Sequence, residues 1–284
     1  MSKVSDPMTQ VNELKYVLYE KQDNIAVITL NRPETRNAQH EPLLRDLDRA
    51  FGFGENDDDV KVIVLKANGP SFSSGHDIGS ADAEAFKEAN PLKPGAEGRF
   101  WNEADKYLGL SRRWRDIPKP TIAAVHGWCI AGGLMLAWPC DLIIAADDAK
   151  FSDPVLRMGI AGVEYFAHPY ELGARKAKEM LFTGEFIDAA EAHRLGMVNK
   201  VVPLDQLEEA TMTMARKIAE MPAFALAMAK RAVNHAVDEM GQRSTMDTVF
   251  AWHQLAHAHA ELVSGSAIMG MDARKMRGDG SKAS

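Results

Sequence analysis

Two stretches of this chain join an apolar, strand-like run to a glycine turn. The first runs from Val62-Ile63-Val64-Leu65 into Phe72-Ser73-Ser74-Gly75-His76-Asp77, and the second from Ile122-Ala123-Ala124-Val125 into Ala131-Gly132-Gly133. Each reads as strand, tight turn, helix start. Free N–H groups point outward where a helix begins, and the partial positive charge there favours an anion. Two such turns facing each other would supply converging donors, an oxyanion hole able to hold a thioester oxygen as it becomes an enolate. One such donor is worth on the order of 10²–10³ in rate. A glycine turn after a strand is also an ordinary connection, and sequence alone does not set the two turns face to face.

Other residues carry weaker signals. Asp77 sits where a loop or helix cap is expected. Asp141 and Asp153 read as structural, one beside a strand and one beside a proline turn. His253 and His257 have the i, i+4 spacing that can bind zinc. Only His259 adds to them and no metalloprotease signature is present, so a solvated or interface helix face is expected and no metal site. Cys129 and Cys140 lie in an apolar stretch without a basic cluster and read as buried thiols of a reducing compartment.

These residues need elements to position them. Apolar patterning predicts strands over 25–30, 60–67, 121–125, 142–146, 150–152 and 197–202. Helices are expected over 41–53, 100–115, 188–195, 204–220, 223–237 and 244–263, with a polar, mobile insert over 81–98. Strands and helices alternate early and helices dominate late, an α/β core followed by a helical C-terminal part. A core over 1–202 and a helical region over 203–284 are the expected divisions. From Ile122 to Cys140 only His126 is strongly polar, a length that could span a bilayer. Gly127, Gly132, Gly133 and Pro139 break it into a buried strand, a turn and a short core helix.

The 284 residues are 46% hydrophobic and 26% charged, enough for a large core without staples. Met1–Gln10 is polar and has no apolar leader core, so a cytoplasmic protein is expected, with no membrane partner. The formal charge of −7, without a visible basic patch, argues against nucleic acid. An anionic ligand would have to be held by a few local cations and backbone amides.

The run Ile28-Thr29-Leu30-Asn31-Arg32-Pro33-Glu34-Thr35-Arg36-Asn37-Ala38 resembles the opening segment of the crotonase (enoyl-CoA hydratase/isomerase) family. Phe72–Ile78 resembles the family's first oxyanion loop, and residues 118–127 followed by Ala131-Gly132-Gly133 resemble the second. Cys140-Asp141, Phe151-Ser152-Asp153-Pro154 and Leu195-Gly196-Met197-Val198-Asn199 continue in family order, so the resemblance covers about residues 25–202. It implies a spiral of repeated ββα turns with C-terminal helices that build a homotrimer or a dimer of trimers. The backbone N–H groups of His76 and Gly132 would be the oxyanion donors. The substrate would be an acyl-CoA thioester, with coenzyme A as part of the substrate and no separate cofactor. Its CoA moiety would lie near Arg32, Arg36 and Ala38 and along Ser74, Gly75 and Asp77, with the two arginines as the local cations.

The chain also departs from the pattern. The two glutamates with which hydratases of the family handle water would stand at Met135 and Val155, and neither side chain transfers a proton. Dienoyl-CoA isomerases of the family use an aspartate near the place of Glu164, about one residue out of register. The resemblance therefore implies Glu164 as an acid/base, against the plainer reading of a first-turn glutamate favouring the helix dipole. His76 is in range of neutral titration, or turned away from the pocket. Tyr165 and His168 would orient substrate, or pack as an aromatic and a helix-surface imidazole. Met135 and Val155 would then line the acyl pocket. Isomerisation, hydrolysis or atypical hydration through an enolate is expected, with a non-catalytic acyl-CoA binder or assembly subunit as the alternative.

Overall fold

Every residue from Ile25 to Leu30 is buried, a pattern that requires a strand covered on both faces. The computed structural model describes residues 13–270, so the polar segment Met1–Gln10 lies outside the described residues. The main sheet contains β1 (Val17–Gln22), β2 (Ile25–Leu30), β3 (Val62–Ala67) and β4 (Thr121–Val125). The short second sheet contributes β5 (Trp128–Ile130), and the main sheet then gains β6 (Leu142–Ala146). β7 (Lys150–Ser152) and β8 (Ile187–Asp188) complete the second sheet, and β9 (Lys200–Val202) the first. The main order is β1-β2-β3-β4-β6-β9, parallel except for the antiparallel edge pair β1/β2. The second order is β5-β7-β8.

The helices follow the chain as α1 (Glu41–Asn56), α2 (Ala81–Ala89), α3 (Gly95–Glu103), α4 (Leu110–Asp116), α5 (Leu134–Ala137) and α6 (His168–Thr183). Then come α7 (Ala189–Leu195), α8 (Leu207–Ala219), α9 (Ala223–Glu239) and α10 (Gln242–Ser264). Strand alternation divides the core. Ala26, Ile28, Ile63, Leu65, Ala123 and Val125 face the large cluster that holds Leu43, Leu47 and Phe51 of α1. Ile25, Val27, Val62, Val64, Ile122 and Ala124 face Leu207, Met212 and Ala215 of α8. The boundary expected after residue 202 thus falls before a helix that still covers the sheet.

The expected α/β architecture with C-terminal helices is present. The polar insert expected over 81–98 has helical structure, because α2 and the start of α3 occupy most of it. The Ser80 hydroxyl accepts the Ala83 N–H at 3.2 Å and caps α2, while Asp82 and Glu84 favour its N-terminal dipole. The helix expected over 100–115 is broken by a π-helical segment, Ala104–Gly109, between α3 and α4. Such a wide turn displaces side chains from α-helical register, and here it carries Tyr107. The apolar run 122–140 is β4, β5, a 3₁₀ turn and α5. Among the described residues no helix is long and apolar enough to cross a membrane.

Candidate active site

The first glycine loop is stitched between two segments as a short extended strand. On one side Ser73 N–H donates to Trp128 O at 2.9 Å, and Ile130 N–H to Ser73 O at 3.0 Å. On the other, Ser74 N–H donates to Arg36 O, Gln39 N–H to Gly75 O at 2.8 Å, and Asp77 N–H to Gln39 O at 2.9 Å. Gly75 and Asp77 spend these groups on Gln39, so the alternation of extended backbone turns the His76 N–H to the opposite side, toward β5. There the chain turns sharply at Ala131, whose φ of 48° is a strained left-handed conformation for a residue with a side chain. Gly132 follows. Among the described residues, neither the His76 nor the Gly132 N–H has a protein acceptor.

The two turns are in contact. A Cβ on Gly132 would lie 3.1 Å from His76 N and 2.9 Å from His76 Nδ1. A Cβ on Gly75, where φ is +94°, would lie 2.9 Å from Ile130 O and 3.3 Å from Gly132 N. Both positions need glycine because backbone meets backbone.

The His76 ring lies 4.1 Å from that of Tyr107, centroid to centroid, and its Nε2 lies 3.2 Å from Glu164 Oε2. Glu164 is 3% exposed. Burial raises its carboxyl, but His76 and then His253 outweigh that and hold it below the usual carboxylate range. Burial lowers His76, but the Glu164 charge and hydrogen bond win and raise it. Asp153, wholly buried, accepts Val163 N–H at 3.0 Å and pairs with His168 Nε2 at 2.8 Å, so it fixes the loop just before Glu164. His168 is therefore not on a helix surface; it is buried and paired with Asp153.

A family model described as enoyl-CoA hydratase/isomerase matches residues 20–273. The chain belongs to this family. It is 46% identical over 270 residues to the EchA13 protein of Mycobacterium tuberculosis, covering 90% of this chain and 85% of that one. A short-chain-enoyl-CoA hydratase of Clostridium acetobutylicum is 33% identical, over 86% of this chain and 88% of its own. The crystal structure of a probable enoyl-CoA hydratase from Mycobacterium smegmatis superposes with a TM-score of 0.84 at 52% identity, covering 89% of this chain and 99% of that chain. This is a crotonase, and the spiral α/β fold with C-terminal helices is that of the family.

Several expected site residues stand elsewhere in this crotonase. Arg32 is 2% exposed and is not a surface cation for phosphate. Its Nη1 bonds Asp77 Oδ2 at 2.5 Å and Ala38 O at 2.9 Å, and its Nη2 bonds Ser80 Oγ at 2.8 Å. Asp77 is the buried anchor of this cluster and accepts the Gly79 and Ser80 amides as well, so it shapes the loop. Tyr165 is a core residue at 1% exposure. Ser74 Oγ bonds Thr35 O at 3.2 Å, which ties the first loop to the Arg36 segment. Arg36 is exposed and stacks over Trp128 at 4.6 Å, beside a groove of about 410 Å³ that Lys150 also lines. Among the described residues no ion pair engages Arg36. Met135 is buried beside Tyr107, and Val155 packs on the same core half-buried.

The Arg32–Asp77 pair makes a stability prediction. Burial raises the Asp77 carboxyl, but bonds from Ser80, Arg32 and the two amides bring it down to about 2. An unfolded aspartate titrates near 3.9. The pair's stabilisation is therefore complete above about pH 4 and disappears as pH falls toward 2. Asp77→Asn should lower stability at neutral pH by about 2 kcal/mol and flatten the acid slope between about pH 4 and 2. Urea unfolding across a pH series measures both.

Glu103 joins the site without a signal in the sequence, and two histidines stand elsewhere than expected. His253 and His257 are buried, not on a solvated face, and they meet Glu103 behind Glu164. These three residues are the group that brings possible metal-ligand atoms within 4.8 Å of one another among the described residues. Their i, i+4 spacing was visible, whereas nothing in the 100–115 pattern singled out Glu103. Cys129 and Cys140 are buried as expected, and burial raises both thiols, Cys140 to about 12.

Proposed function

We propose that this enoyl-CoA hydratase/isomerase family enzyme binds an acyl-CoA thioester with its carbonyl oxygen between the His76 and Gly132 amides. Glu164 then takes a proton from the α-carbon and returns it elsewhere on the acyl chain. The supporting observation is the interlock of the two glycine turns beside a buried carboxylate. Both amides are free of protein acceptors, and Glu164 is hydrogen-bonded to the ring of the donor residue. As the C–H bond breaks, charge moves from the α-carbon to the oxygen, where two N–H dipoles meet it. Met135 and Val155 stand where hydratases carry their water-handling glutamates, so a single carboxylate favours isomerisation over hydration. Heavy-water exchange of α-protons across a panel of acyl-CoAs tests this. Exchange with at least one thioester is expected, and its absence with all of them, together with tight calorimetric binding, would leave a non-catalytic binder.

Arg36 and Lys150 flank the groove beside the first loop and fit the phosphates of CoA. Arg36→Ala should raise KM for acyl-CoA about tenfold with kcat little changed. The same variant should leave KM unchanged for an acyl-pantetheine thioester without phosphates, measured side by side. Exposed apolar side chains on α9 and α10, among them Phe224, Val233, Trp252, Leu255 and Leu262, support a homotrimer or a dimer of trimers.

A further inference from the structure

His253 and His257 present a proton-counting problem. His253 Nδ1 lies 2.7 Å from Gly162 O, and His257 Nδ1 lies 2.7 Å from Ala267 O. A carbonyl oxygen carries no proton, so each Nδ1 is the donor. Two neutral rings would then present Nε2 lone pairs to each other, yet these atoms are 3.0 Å apart. A positive species must lie between them.

The distance favours a proton over a metal ion. Zinc held at about 2.0–2.1 Å by both nitrogens would set them on a tetrahedral edge of about 3.3 Å. An N–H···N hydrogen bond closes near the observed 3.0 Å. Glu103 Oε2, the nearest carboxylate oxygen, accepts from Gln254 Nε2 at 2.5 Å and stands 3.4 Å from His253 Nε2, well beyond a zinc–oxygen bond. The surroundings suit one extra positive charge. Glu103 Oε2 is 3.4 Å and Glu164 Oε1 is 3.8 Å from His253 Nε2, and Glu103 Oε1 is 3.9 Å from His257 Nε2.

We propose that His253 and His257 share one additional proton and form a buried cationic pair that holds Glu164 ionised and oriented. The pair belongs to the positioning apparatus, and its catalytic consequence rests on Glu164 being the base proposed above. Glu164 is faced by His76 from the loop after β3, Tyr107 from the π-helical segment, Glu103 from α3 and His253 from α10. On the far side, Arg99 acts on His257 but is itself paired with Glu261. Burial alone would lower His253; the Glu103 carboxylate 3.4 Å away and the Glu164 charge raise it to about 9. Burial pushes the enclosed Glu164 carboxyl up, and the charge of the pair adds to that of His76 in keeping it a carboxylate able to accept a proton.

Two measurements test the pair. Nitrogen-15 histidine NMR of the wild-type enzyme should show both Nδ1 atoms protonated and one proton exchanging between the two Nε2 atoms at pH 7. The acid limb of the α-proton exchange profile should move up by about one pH unit or more in His253→Gln and in His257→Gln. The double variant should move it no further, since one shared proton is lost either way. A purely structural role would lower Tm and rate at all pH values without moving that limb. Two neutral rings, an unmoved limb, or a stoichiometric metal found by elemental mass spectrometry would overturn the proposal. The NMR experiment uses no substrate. If Glu164→Gln leaves exchange intact while the shared proton is still seen, the base assignment fails and the pair stands.

Discussion

Gly132→Ala is expected to lower turnover on an acyl-CoA substrate by about 10²–10³-fold while the fold persists. The reason is steric and local. The added methyl carbon would sit 3.1 Å from the His76 backbone nitrogen, against the proposed donor. It would also lie 2.8 Å from His76 Cε1 and 2.9 Å from Nδ1. The imidazole can swing aside, but the backbone nitrogen cannot, because Gly75 O and Asp77 N are pinned to Gln39. Gly132 does not have a positive φ, so alanine adds little backbone strain and the loss would be one of space at the donor. Steady-state kinetics with circular dichroism and Tm separate these effects. Unaltered kcat/KM in a folded Gly132→Ala enzyme would remove the oxyanion hole from this interlock.

Much of this scaffold was legible because burial imposes periodicity. β2, β4 and β6 fall where apolar runs predicted them, since central parallel strands are covered on both faces. β1 was not legible: its burial pattern alternates only weakly, and its partner β2 creates it by pairing. The chemistry of the glycine turns was visible as residue type, but their contact depends on Gln39, Ser73 and Ile130 lying side by side, which no local pattern encodes. Arginine shows the same limit. Arg32 and Arg36 are four positions apart and looked equivalent, yet Asp77, far along the chain, buries one and leaves the other exposed over Trp128. Glu103 was lost for the reverse reason. In a helix it reads as a solvated charge, and only the π-helical segment after it and α10 across from it enclose it.

Glu164→Gln should lower α-proton exchange by about 10²–10⁴-fold while acyl-CoA binding is retained. Gln matches the carboxylate in shape and can still accept from His76 Nε2 across the 3.2 Å contact, so the loop held by Asp153 should keep its conformation. What is lost is the ability to accept a proton. A fall in kcat with KM held would mark an interaction made only in the transition state. The variant also reports on His76. Burial lowers that imidazole and the Glu164 carboxylate raises it, so removing the charge should bring its titration down toward or below the ordinary histidine range. Imidazole NMR across pH reads that change independently of turnover. If exchange survives while His76 titrates lower, the pair exists but the base is elsewhere, and Glu103, the remaining buried carboxylate that acts on His76, becomes the group to replace next.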